Sequence, residues 1–157
     1  MQNEISKATK CAYRQLKLRV QSCRELCSKL ERKGFSPETV QKTMSLLEEK
    51  GLIDDKRFAE IWVSSKLKMR PTGAIVLKRE LAEKGIREDI VESILSDVKS
   101  SESEVIRELA KKRIKQIADL PKLKAAKRLH DFLLRRGFEF DAVKDTVNEI
   151  IKDEYEK

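Results

Sequence analysis

The chain has 157 residues, 39% of them charged and 39% hydrophobic, with a formal net charge of +8. A chain of this length ordinarily builds one domain of about 100 to 200 residues, and its apolar stretches are broken by charge too often to form a secretory or membrane-spanning segment. Cys11, Cys23 and Cys27 are an odd number with no histidine or second cysteine pair nearby in sequence, which fits half-buried thiols in a reducing cytosol rather than a disulfide framework or a zinc site.

Helical spacing of apolar residues predicts a first helix over residues 5–18 and a second over 22–33, stopped by Gly34. Ser36 as N-cap and Pro37 at the first helical position open a third, which Gly51 ends. Asp54 is placed to cap the next helix, whose Phe58, Ala59, Trp62, Val63 and Leu67 recur at helical intervals until Pro71 forces a stop near residues 68–70. A helix from Thr72 carries Ile75, Leu77, Leu81 and Ala82 to Gly85, and another covers residues 88–98. Ser101 and Glu104 have the spacing of a capping box, which predicts a fresh helix start leading through Val105, Leu109, Ile114 and Ile117 to a break at Leu120 and Pro121. Two more helices follow, over residues 122–136 and 140–154.

These elements repeat. Leu26, Leu30, Gly34 and Phe35 return as Leu77, Leu81, Gly85 and Ile86, and again as Leu129, Leu133, Gly137 and Phe138. Arg19, Arg70 and Lys122 precede each set, as do the small residues Ser22, Gly73 and Ala125. Val40, Met44 and Leu47 follow the first glycine, Val91, Leu95 and Val98 the second, and Val143, Val147 and Ile150 the third. The expected fold is therefore all-α, an elongated tandem array of three three-helix repeats with boundaries at 1–50, 51–100 and 101–157, each burying its apolar stripe within its unit and against the next. Its structural residues are Leu26, Gly34, Asp54, Phe58, Trp62, Leu77, Gly85, Leu129 and Gly137.

Positive charge is segregated. Residues 105–136 carry eleven Lys or Arg against three acids, whereas residues 137–157 carry seven acids against three lysines. That division favours a basic surface that meets a polyanion or an acidic protein groove, with salt-sensitive binding. No catalytic constellation accompanies it. The single histidine, His130, lies beside Asp131 within a basic helix, and the chain has no phosphate-binding glycine loop and no set of metal ligands. Activity through binding, with no cofactor and as a monomer, is the expectation.

Gly51-Leu52-Ile53-Asp54-Asp55-Lys56-Arg57-Phe58-Ala59, then Trp62-Val63, then Arg70-Pro71-Thr72-Gly73 leading to Glu80-Leu81-Ala82-Glu83-Lys84-Gly85-Ile86, resemble the RecX family of bacterial recombination regulators. Arg24-Glu25-Leu26 ahead of Lys33-Gly34-Phe35, and Arg128-Leu129 ahead of Arg136-Gly137-Phe138, follow the same plan. The third repeat departs from it, since Leu109-Ala110 stands where Phe58-Ala59 stands and the Asp-Asp lead is absent. The resemblance implies three tandem three-helix units that lodge on the RecA recombinase filament in the cytoplasm. They would inhibit its ATPase, strand-exchange and co-protease activities in recombination, DNA repair and the SOS response, with weak or indirect contact to DNA. On that basis the expected filament-binding side chains are Arg70, Lys78, Arg79, Lys112, Arg113, Lys122, Lys124, Lys127, Arg128, Arg135 and Arg136. The alternative is a helical protein that binds DNA nonspecifically, because no recognition-helix signature is present.

Overall fold

The structure, a computed structural model, describes residues 1–156. Those residues form eight helices and no strand: α1 Gln2–Leu18, α2 Cys23–Arg32, α3 Pro37–Glu49, α4 Asp55–Met69, α5 Ala74–Glu83, α6 Glu88–Gln116, α7 Lys122–Arg135 and α8 Phe140–Tyr155. The chain partitions into two compact units, one made of residues 1–62 and 81–91, the other of residues 63–80 and 92–157.

In the first unit α1, α2 and α3 pack together around Ala12, Leu26, Leu30, Val40, Met44, Leu47 and Ile53. Ser22 and Ser36 start α2 and α3 by accepting the backbone N–H of Glu25 and Thr39, each at 3.2 Å. Asp54 does the same for α4, its Oδ1 accepting from Lys56 and Arg57 at 3.0 and 3.3 Å. Each cap satisfies donors that the helix cannot bond internally. In the second unit α7 and α8 pair, and their Leu129, Leu133, Val143, Val147, Ile150 and Ile151 meet Ile106, Ala110 and Ile114 of α6 and Ile117 just beyond it.

The helix expected over residues 88–98 and the one expected to start at Ser101 are a single helix, α6. Ser101 does not cap. Its hydroxyl donates back to the Val98 carbonyl at 3.2 Å, and Ser100 does the same to Asp97 at 2.7 Å. A serine that bonds the preceding turn stays helical, and no glycine or proline between residues 88 and 116 forces an exit.

The neighbouring carboxylate, Glu102, has a different job: its Oε1 accepts the first N–H of α5, from Ala74, at 2.8 Å. In the first unit the equivalent donor, Cys23 N–H at the start of α2, is taken by Asp55 Oδ1 at 2.9 Å. Both helix starts also lie against a glycine turn. Arg24 packs on Gly85 and its Nη1 donates to the Ala82 carbonyl at 3.4 Å. Gly73 and Ile75 donate their N–H groups to the carbonyls of Arg136 and Gly137 at 2.6 and 3.1 Å. At this second joint the backbones touch, since a Cβ on Gly73 would lie 2.2 Å from the Gly137 carbonyl carbon and oxygen.

Candidate functional site

Along α7, Ala125, Leu129 and Leu133 are buried, which leaves Lys124, Lys127, Arg128 and Arg135 on the exposed side. Arg128 and Arg135 are two helical turns apart and so share a face, with Asp131 between them. Arg113 from α6 joins these three to line one concavity. Next to it the Phe132 ring serves two guanidinium groups: the Arg113 and Arg136 carbons lie 5.0 and 4.9 Å from the ring centroid, in cation–π range. Arg136 Nη1 also donates to the Pro71 carbonyl at 2.9 Å.

None of Arg70, Arg113, Arg128, Arg135 and Arg136 forms an ion pair among the described residues. Arg113 Nη1 donates to Gln116 Oε1 at 2.8 Å, but its Nε is buried with no hydrogen-bond partner among the described residues. Burial, then repulsion from Arg70 and Arg113, pushes the Arg136 guanidinium below its ordinary pKa. Asp131 lies in the same concavity, but none of the five guanidiniums pairs with it, so together they are a surface short of negative charge. Their planar, forked donors suit a carboxylate or phosphate bidentately.

The other expected basic residues stand apart from this cluster. Lys78 pairs with Glu92 at 3.3 Å and Lys122 with Glu156 at 2.9 Å. Both pairs are half exposed and hold their lysines only weakly. Lys112 lines a separate depression with Glu104 and Glu108, whose charge opposes an anion. Arg79, Lys124 and Lys127 are exposed but do not line the concavity.

In the first unit the charges beside Trp62 are internally satisfied. Glu25 accepts from Arg19 and pairs with Lys84 at 3.2 Å, and Lys84 Nζ sits 5.0 Å over the Trp62 ring, itself stacked with the buried Phe58 at 6.1 Å. Burial, followed by the carboxylates of Asp55 and Glu48, pushes the Cys23 thiol up to about 12, and burial raises Cys27 as well. Both remain protonated and poorly nucleophilic at neutral pH. Among the described residues no group of His, Cys, Asp or Glu side chains is arranged to hold a metal, and no helix is long and apolar enough to cross a membrane.

Sequence reasoning missed Phe132, although Arg128 four residues before it and Arg136 four after it share its helical face. It also missed the joints of Arg24 with Gly85 and Ala74 with Glu102, whose partners are 61 and 28 residues apart.

Family models described as the second and third three-helix domains of RecX match residues 54–95 and 101–147. The Regulatory protein RecX of Chlorobium phaeobacteroides (strain BS1) is 38% identical over 146 residues, covering 93% of this chain and 95% of that protein. The chain belongs to the RecX family. The RecX protein of Prosthecochloris aestuarii is 32% identical over 154 residues, covering 95% of this chain and 97% of its own length. The crystal structure of RecX from Lactobacillus salivarius agrees in fold, with a TM-score of 0.86 at 24% identity over 96% of this chain and 98% of that one. RecX proteins are regulatory proteins by name, and their helical repeat fold is the one found here.

Proposed function

We propose that this RecX family member binds the RecA nucleoprotein filament and restrains its ATPase, strand-exchange and co-protease activities, catalysing no reaction itself. It acts as a monomer in the cytoplasm, in recombination, repair and the SOS response. The observation that carries this reading is the group of five guanidiniums, Arg70, Arg113, Arg128, Arg135 and Arg136, left without an ion-pair partner beside a shared concavity. A filament is polyanionic along its length, and an open guanidinium cluster gains on contact with it what it lacks alone.

Three-helix units at 1–50, 51–100 and 101–157 supply further contacts on neighbouring protomers, each raising the effective concentration of the next. Inhibition follows only if the bound filament state differs from the one that turns over ATP, because a ligand with equal affinity for both shifts nothing.

Titration against recombinase alone, DNA alone and the ATP-bound filament tests the reading. Suppression of filament ATPase at concentrations too low to bind bare DNA supports it. Equal binding to bare and coated DNA, with turnover unchanged, replaces it with nonspecific DNA binding.

A further inference from the structure

The first unit carries an apolar groove that its own fold leaves open. Tyr13, Leu16 and Lys17 of α1, Val20 and Gln21 of the α1–α2 loop, residues 51–54 of the α3–α4 loop and Arg57 of α4 line a cavity of about 410 Å³. That volume is in the range of about 300 to 1,000 Å³ that holds a bound group. Ile53 turns into the core, but its neighbour Leu52 is 44% exposed, and Val20 is 42% exposed. Leu52 is not loose: its N–H donates to the Leu47 carbonyl at 2.9 Å, so the backbone fixes it in place.

Gln21, only 2% exposed, adds a polar anomaly to the groove wall. Its Nε2 donates to the Gln15 carbonyl at 2.8 Å, while its Oε1 has no hydrogen-bond partner. A buried acceptor left unmatched costs stability. The charge of the rim decides what occupies the groove. Lys17 and Arg57 are exposed and form no ion pair among the described residues. The single acid, Asp54, is engaged in capping α4.

We infer that this groove docks an acidic segment of a protein partner, which inserts one leucine or aromatic side chain between Val20 and Leu52 and sets its carboxylates against Lys17 and Arg57. The anchor fills apolar space, and the flanking acids supply specificity. The site is separate from the guanidinium cluster and does not depend on the filament reading.

The test therefore uses neither recombinase nor DNA. A random dodecapeptide library is selected on the intact chain, and a fluorescein-labelled peptide of the enriched consensus is titrated by anisotropy. The expected consensus has an apolar residue flanked by Asp or Glu. Its affinity falls about tenfold in Val20→Ser and Leu52→Ser and several-fold in Arg57→Glu, with helix content and melting temperature retained. Failure to enrich any peptide whose binding depends on Val20 and Leu52 overturns the inference, as does a consensus without acids. Sedimentation showing that Leu52→Ser abolishes self-association of the chain also overturns it, by making a second copy the occupant.

Discussion

Glu102 lies within α6, yet its carboxylate closes the N-terminus of α5 through the Ala74 N–H. Burial raises its pKa by more than that hydrogen bond lowers it, so the negative charge is a cost and the acceptor a gain. Glu102→Gln, which keeps the acceptor and removes the charge, should leave thermal stability unchanged or slightly raised. Glu102→Ala should lose about 1 kcal/mol, the usual worth of a helix cap, as read from thermal unfolding by circular dichroism.

Glu25 has the opposite sign. Burial alone would raise its carboxyl, but hydrogen bonds from Arg19 and Lys84 hold it below its ordinary 4.5. A depressed carboxylate contributes stability that is present above the unfolded value and lost as pH falls through the lower folded one. The urea midpoint of the native chain should therefore exceed that of Glu25→Gln at neutral pH, with the gap closing as pH falls through the lowered folded value. Phe58 and Leu129 were legible in the sequence because burial leaves a period in the chain. Glu102 was not, since a carboxylate that reaches a helix 28 residues away leaves no local pattern.

Among the elements, glycines at matching repeat positions have unequal duties. Gly34 and Gly137 both adopt positive φ, 95° and 92°. A Cβ on Gly34 meets open space, while one on Gly137 would lie 2.8 Å from the Val76 backbone nitrogen. Gly34→Ala should cost about 1 kcal/mol, the left-handed penalty alone. Gly137→Ala and Gly73→Ala should each cost about 3 kcal/mol or more, because two backbones must separate. Urea denaturation of the three variants checks the order. The repeated leucine and glycine spacing foretold where the turns fall, but not which turn another helix start presses upon. The Ser101–Glu104 spacing misled for a related reason: a serine hydroxyl can cap a new helix or bond the preceding turn, and local sequence does not choose between them.

At the scale of the molecule, the basic bias of residues 105–136 was plain from composition, and the structure divides that charge into used and unused parts. Lys122 is paired with Glu156, whereas Arg113, Arg128 and Arg135 are gathered by two helices around Asp131 and form no ion pair among the described residues. That selection rests on the register of α6 against α7, which no linear charge count contains. The most direct test is charge reversal inside the cluster, with the concentration for half-inhibition of filament ATPase measured for the native chain and for Arg128→Glu combined with Arg135→Glu. The account predicts a rise of at least about tenfold with helix content and melting temperature retained. A folded double variant that inhibits as well as the native chain would contradict it.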